Sequence, residues 1–193
     1  MKPLPASFYG GAADELAPAL LNKVLVCGRL SARIVEVEAY AGIRDPGSHA
    51  FRGETKRNAT MFGPPGHLYV YFTYGMHWCA NVVYSAVGEA SAVLLRAAEP
   101  LTGLDTMRAR RPRAKTDRDL CRGPARLAQA FAIDGSLDGH DITKRSADLP
   151  WIGDDGIAAP AVPEQTTRIG LSPTKGAETP WRWHVPNSRF VSR

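Results

Sequence analysis

Five short stretches of the chain, residues 23–27, 32–39, 68–73, 78–84 and 92–97, are rich in Val, Ile and aromatic side chains and predict strands. Three helices are expected: residues 14–22, with Pro18 in the first turn, residues 101–110, and residues 123–133, which open on a Gly-Pro pair. Beyond Gly135 turn-forming residues dominate, with one more strand expected over residues 167–171. No internal repeat marks a solenoid or a propeller. Strands follow one another instead of alternating with helices, so the expected class is α+β with an antiparallel or mixed sheet.

The most informative stretch runs from Arg33 to Tyr40. Strict alternation puts Val35, Val37 and Ala39 on one face, able to pack on a core, and Ile34, Glu36, Glu38 and Tyr40 on the other. Carboxylates two residues apart on a strand lie about 6.5–7 Å apart at Cα, a spacing that suits a general base or acid once water is partly excluded. The same pattern describes a solvent-facing strand whose glutamates pair with basic residues across the sheet. Pattern alone does not choose between them.

A second stretch, residues 61–78, leads from a Gly/Pro loop into a strand and then into Tyr74-Gly75-Met76-His77, which reads as the turn of a hairpin. A tip carrying Tyr74, Met76 and His77 is a wedge suited to entering a base stack, since an aromatic face stacks on any base. A core hairpin whose tyrosines cover apolar surface has the same spacing.

Length and composition narrow the classes. At 193 residues, with 44% hydrophobic and 22% charged side chains, the chain is long enough for one core without disulfide or metal staples. No apolar run reaches the ~18 residues of a membrane span, and no signal-peptide h-region is visible, so a cytoplasmic protein is expected. Cys27, Cys79 and Cys121 are odd in number and widely spaced, which fits a reducing compartment better than a disulfide framework. Zinc-hydrolase, deaminase and Walker signatures are absent. The net charge of +5 is local: residues 108–122 hold seven basic and two acidic residues, leaving 17 of each sign elsewhere. Such a segment suits a polyphosphate partner, and it equally describes a solvated loop.

Together these blocks resemble the alkyladenine (3-methyladenine) DNA glycosylase family of base-excision repair. The matching residues are 33–40, His49, Arg57-Asn58, Met61-Phe62, 66–81 with their Leu-Tyr-Val-Tyr and Tyr-Gly-Met core, 93–100, 120–133 and Arg168-Ile169-Gly170. They run in one order, with compatible spacing, from about residue 8 to the end.

The resemblance implies a single glycosylase domain over residues 1–193, with a curved, mostly antiparallel sheet, peripheral helices and a protruding hairpin. It implies an enzyme that flips an alkylated or deaminated purine out of duplex DNA, because the sugar and base edge are unreachable within the stack, and hydrolyses its N-glycosidic bond. The lesions implied are 3-methyladenine, 7-methylguanine, hypoxanthine and ethenoadenine. By resemblance Glu38 activates the water, Arg96 helps hold it and a nearby phosphate, and the Ile169 carbonyl gives a third contact. Tyr40, His49 and Tyr71 sandwich the flipped base, and Asn81 crowds the 2-amino group of guanine. Tyr74 fills the gap in the duplex with Met76 beside it, while Arg57 and residues 108–122 hold phosphates. No metal or other cofactor is implied, the partner is double-stranded DNA bearing a damaged purine, and a monomer suffices. For single residues other readings stay open: His49 as a structural histidine, Arg96 as an ion-pair partner of Glu36, Asn81 as a backbone-satisfying side chain. For the whole chain, a non-catalytic nucleic-acid-binding module and a hydrolase of free nucleosides or glycosides are the alternatives.

Overall fold

The computed structural model describes residues 1–84 and 88–192. In chain order its elements are β1 (Lys2–Pro3), α1 (Ala13–Leu16), β2 (Val24–Cys27), β3 (Leu30–Ala41), β4 (Leu68–Thr73), β5 (His77–Tyr84) and β6 (Ser91–Thr102). There follow α2 (Leu104–Arg110), α3 (Pro124–Phe131), β7 (Trp151–Asp154), β8 (Glu164–Thr166) and β9 (Arg182–His184), with short 3-10 turns between. The strands form one sheet in the order β1-β7-β2-β3-β6-β5-β4, and among the described residues every pairing is antiparallel. β9, paired with β8, takes the edge of β3 that β2 leaves open: β2 covers residues 30–33 and β9 residues 36–38. This is the α+β class that the strand succession predicts.

The core lies on one face of the sheet. Ile34, Val37 and Ala39 of β3, Val93 and Leu95 of β6, Ala80 and Val82 of β5 and Leu68 of β4 are all buried there. Helix α3 covers them with Leu127, Ala128 and Phe131, one stripe at helical spacing. Its start follows from Pro124 in the first turn, where the missing N–H costs nothing, and it ends where Ala132 turns left-handed at φ 54°.

Four expectations needed correction. The expected helix over residues 14–22 is broken: α1 stops at Leu16 and Pro18 opens a separate 3-10 turn, Ala17–Leu20, because its ring and missing N–H do not continue an α-helix. The helix expected from residue 101 starts at Leu104. β6 runs on through Thr102, and Gly103, at φ 75°, turns the chain where a side chain would collide with Leu30. Residues 167–171 are not a strand; the strand is Glu164–Thr166, and the chain after it becomes a loop.

The fourth correction matters most for the site. Ile34 packs into the core, while Val35 faces the other side with Ala97 and Phe190. Strict alternation fails because the β3–β6 ladder, besides a shift near its start between Ser31 and Ala32, holds two bulges at the site. Ile34 pairs with Ala98 and Glu36 with Ala97, leaving Val35 as an extra residue; Val37 pairs with Leu95, leaving Arg96 as another. Each bulge turns one more side chain away from the core. As a result Val35 and Glu36 on β3, and Arg96 and Ala97 on β6, stand together on the sheet's outer face.

Candidate active site

That outer face carries a buried charge cluster. Glu36 and Glu38 are both fully buried, and Arg96 lies between them at 6% exposure. Arg96 donates from Nε to Glu36 Oε1 at 3.0 Å, and its Nη1 lies 3.1 Å from Glu38 Oε2. Burial alone would lower the Arg96 pKa, but the carboxylates Glu38 and Glu36 outweigh it and hold the guanidinium above its ordinary value. So Arg96 is the ion-pair partner of Glu36 and of Glu38 at once. The Arg182 Nε adds a second positive charge 3.0 Å from Glu36 Oε1, although its N–H is not aimed well enough for a hydrogen bond.

Glu38 is held on both oxygens. Oε2 accepts from the Tyr40 hydroxyl at 2.9 Å in addition to facing Arg96, and Oε1 accepts the Ile169 backbone N–H at 2.7 Å. A carboxylate oxygen offers two in-plane lone pairs. Oε2 accepts one hydrogen bond and faces the Arg96 charge, whereas Oε1 keeps a lone pair beside Ile169. The Tyr40 phenol is pushed well above its ordinary pKa, first by burial and then by the Glu38 charge and hydrogen bond, so it stays a donor.

The tail of the chain closes this cluster from behind. Ser192 donates its backbone N–H to Glu36 Oε2 and its hydroxyl to Glu36 Oε1 at 2.9 Å, and Phe190 is buried nearby against Val35 and Ala97. Hydrogen bonds to a buried charge contribute about 1.5–3 kcal/mol each. Cutting the chain before Phe190 is therefore expected to lower the thermal midpoint by roughly 6–24 °C, and calorimetry would show it. An unchanged midpoint would mean that water replaces the tail at no cost.

In front of Glu38 opens a cavity of about 510 Å³, walled by Tyr40, His49, Tyr71, Asn81, Arg96 and Ile169, with Tyr74 at its rim. Tyr69 and Tyr71 lie two apart on one face of β4, their rings 5.5 Å apart, and His49 meets Tyr71 edge-on at 4.5 Å. His49 Nδ1 is 3.0 Å from the Tyr69 hydroxyl. Packing against these rings, then the charges of Arg57 and Lys175, hold the imidazole below its ordinary pKa, and solvent at its open edge screens part of that. Asn81, opposite Tyr69 across β4–β5, donates its amide to the Tyr69 carbonyl at 3.1 Å, so it also satisfies backbone.

Beside the cavity the β4–β5 hairpin ends in Tyr74, 82% exposed, and Met76, 66% exposed. Tyr74 at φ 50° and Gly75 at φ 66° form the primed turn that suits two twisted strands. A tyrosine is seldom found in that region, and such strain clusters at functional sites. Phe72 and Trp78, paired across the hairpin with ring centroids 4.8 Å apart, brace it from below.

All nine residues singled out in the sequence thus gather at one site: seven at the cavity wall or rim, Glu38 just behind it, and Met76 on the adjoining tip. The basic segment is less available than its charge suggests. Arg108 is forked onto Asp117 and paired with Asp105, while Arg110, Arg111 and Arg122 donate to protein oxygens; Arg113 and Lys115 are exposed. Arg57 donates to the Phe72 carbonyl and lies over the Tyr71 ring. Among the described residues no three His, Cys, Asp or Glu side chains converge as a metal site, and no helix is long and apolar enough to cross a membrane.

A family model described as methylpurine-DNA glycosylase matches residues 7–189. The chain belongs to this family. A Burkholderia cenocepacia protein named "Putative 3-methyladenine DNA glycosylase" is 56% identical over 191 residues, 98% of this chain and 90% of its own length. Proteins of the same name from Streptomyces avermitilis and Carboxydothermus hydrogenoformans are each 46% identical, covering 98% of this chain and 91% and 98% of their own. As a methylpurine-DNA glycosylase family member, the chain is a DNA repair protein of the base-excision class. Reading the sequence missed Asp45, Arg182 and Ser192, which act through partners far along the chain. Arg168 appeared only within its Arg-Ile-Gly block.

Proposed function

We propose that this DNA glycosylase flips a damaged purine nucleotide out of duplex DNA into the cavity and hydrolyses its N-glycosidic bond with a water held by Glu38. The observation that carries this reading is the state of Glu38: buried behind an aromatic cavity, with Oε2 hydrogen-bonded to Tyr40 and facing the Arg96 charge, and one lone pair of Oε1 unused. A water donating to that lone pair lies between Ile169 and Arg96. As its oxygen attacks C1′, the C1′–N bond breaks, the bonding electrons leave with the base, and the water proton passes to Glu38. The carboxylate charge stabilises the oxocarbenium character of the sugar.

The cavity walls set the substrate class. Tyr40, Tyr71 and a neutral His49 present π faces that favour a cationic alkylpurine, which is also a ready leaving group. Hypoxanthine and ethenoadenine fit the same space but need a proton to leave. Asn81, fixed by the Tyr69 carbonyl, crowds a guanine 2-amino group and so protects normal DNA. Tyr74 fills the gap in the stack, Met76 lies beside it, and exposed bases such as Arg113 and Lys115 meet phosphates without reading sequence. One copy of the chain, without a cofactor, holds all of these groups.

Single-turnover release of free 7-methylguanine and hypoxanthine from duplex DNA tests the reading. Base release that leaves an abasic strand intact supports it; binding with no release of either base would sink it. His49 adds a pH effect. Its folded pKa lies below the unfolded value, so it contributes nothing to pH dependence above about 6.5. As pH falls from there to its lowered native value, the unfolded chain binds the extra proton and stability drops. His49→Gln is expected to flatten that part of the stability–pH curve, which chemical denaturation across this range would measure; an unchanged curve would assign the slope to other groups.

A further inference from the structure

Behind Tyr40 lies a second buried ion pair that the chemistry above does not use. Arg168 and Asp45 have side chains 0% and 1% exposed. The Arg168 fork meets both carboxylate oxygens, with Nη2 to Oδ1 at 2.8 Å. The other N–H groups on the two Nη atoms go to the Ala39 carbonyl at 3.0 Å and, at 3.4 Å, to that of Gly176. The guanidinium lies 4.8 Å from the centre of the Tyr40 ring and 5.3 Å from that of Trp181. Asp45 in turn accepts the N–H groups of Ala41 and Gly47.

Stability alone is a weak reason for this arrangement. Arg168 Nε is buried without an acceptor, and a buried pair is often no better than apolar residues of the same volume. What distinguishes the pair is its neighbours. Through Ala39 and Ala41 it holds the end of β3 on both sides of Tyr40, and through Gly47 the loop leading to His49. Arg168 is also covalently next to Ile169, whose N–H fixes Glu38 Oε1. The contact is close enough that a Cβ on Gly47 would come within 2.9 Å of Arg168 Nη2.

We propose that the Asp45–Arg168 pair is the positioning unit of the active site, setting the Tyr40 wall and the Ile169 N–H that together orient Glu38. In its catalytic consequence this rests on the function proposed above; in its structural claim it does not. The pair touches no substrate, and Arg168 does not line the cavity, so its effect belongs to the bond-breaking step and not to DNA binding.

Arg168→Lys and Asp45→Asn keep the volume and lose the fork. Both are expected to slow single-turnover base release by about 10²-fold, the scale of a small misplacement, with DNA affinity within about threefold of wild type. Arg168→Gln should be slower still than Arg168→Lys. Independently of activity, the Ile169 and Gly47 amides should exchange with solvent about tenfold faster in Arg168→Lys, while the Val37 and Leu95 amides of the central ladder keep their protection. If those two amides stay protected and the rate per folded molecule is unchanged, the pair is only a structural brace. If the amides respond as expected but wild type releases no base, the positioning stands and the proposed reaction falls. Should Arg168→Lys not fold, Asp45→Asn carries the same two measurements.

Discussion

Glu38→Gln is expected to bind lesion-bearing duplex DNA as wild type does and to release base roughly 10²–10⁴-fold more slowly, the usual range for losing a general base. The geometry makes this substitution more informative than a truncation, because Gln preserves the volume of a fully buried side chain. It does not preserve the hydrogen bonding. The polar neighbours of the carboxylate are all donors: the Tyr40 hydroxyl and Arg96 at Oε2, the Ile169 N–H at Oε1. The amide oxygen will turn to Arg96, which cannot accept, and the NH₂ is left facing the Ile169 N–H. That mismatch costs about 1–3 kcal/mol, so thermal melting must accompany the kinetics. A variant that melts slightly lower, binds normally and does not cleave matches the mechanism. Release within a few-fold of wild type would remove Glu38 from the role of base.

Arg96→Met carries the largest expected loss of stability. It leaves Glu36 and Glu38 buried with their shared cation gone, and breaking a buried pair by removing one partner costs about 3–5 kcal/mol. Arg182 and Ser192 remain on Glu36 but do not reach Glu38. The loss is therefore concentrated where the chemistry is proposed. A triple variant that adds Glu36→Gln and Glu38→Gln should recover much of the stability while staying inactive, since replacing both sides of a polar contact is far cheaper than orphaning one. Urea denaturation of the three proteins decides. If Arg96→Met is as stable as wild type, the cluster is better hydrated than its burial indicates.

The site was legible in the sequence wherever it lies on long strands. Glu36, Glu38, Tyr40, Tyr69, Tyr71 and Asn81 sit in β3, β4 and β5, where a period of two places side chains without knowledge of the rest of the chain. The same rule failed between Ile34 and Glu36, because a bulge adds one residue without changing local composition. Short strands failed too. β7 and β9 are four and three residues long, too short for any period to show, and they exist because β2 and β3 offer unpaired edges. The roles of Asp45, Arg168 and Ser192 were hidden for a different reason. Their partners are 123 and 156 residues away, so only the closed sheet defines what they do. The basic segment shows the opposite error: its charge is plain in the sequence, but the sequence does not say that Asp117 and Asp105 already occupy Arg108.

The two bulges cancel. Between Ile34 and Val37 on β3, and between Ala98 and Leu95 on β6, the chain advances by the same three residues, so the ladder leaves the site in the register in which it entered. Shortening either strand by one residue alone would slide every later pair and turn the inward side chains outward. Shortening both, by Val35 and Arg96 together, leaves Ile34, Val37, Leu95 and Ala98 facing the core and a regular ladder between them. Of the groups at the site only Arg96 stands on a spare residue, balanced across the ladder by Val35, while Glu36, Glu38 and Tyr40 keep regular pairs, so the cation was added to the sheet without changing the alignment that places the carboxylates.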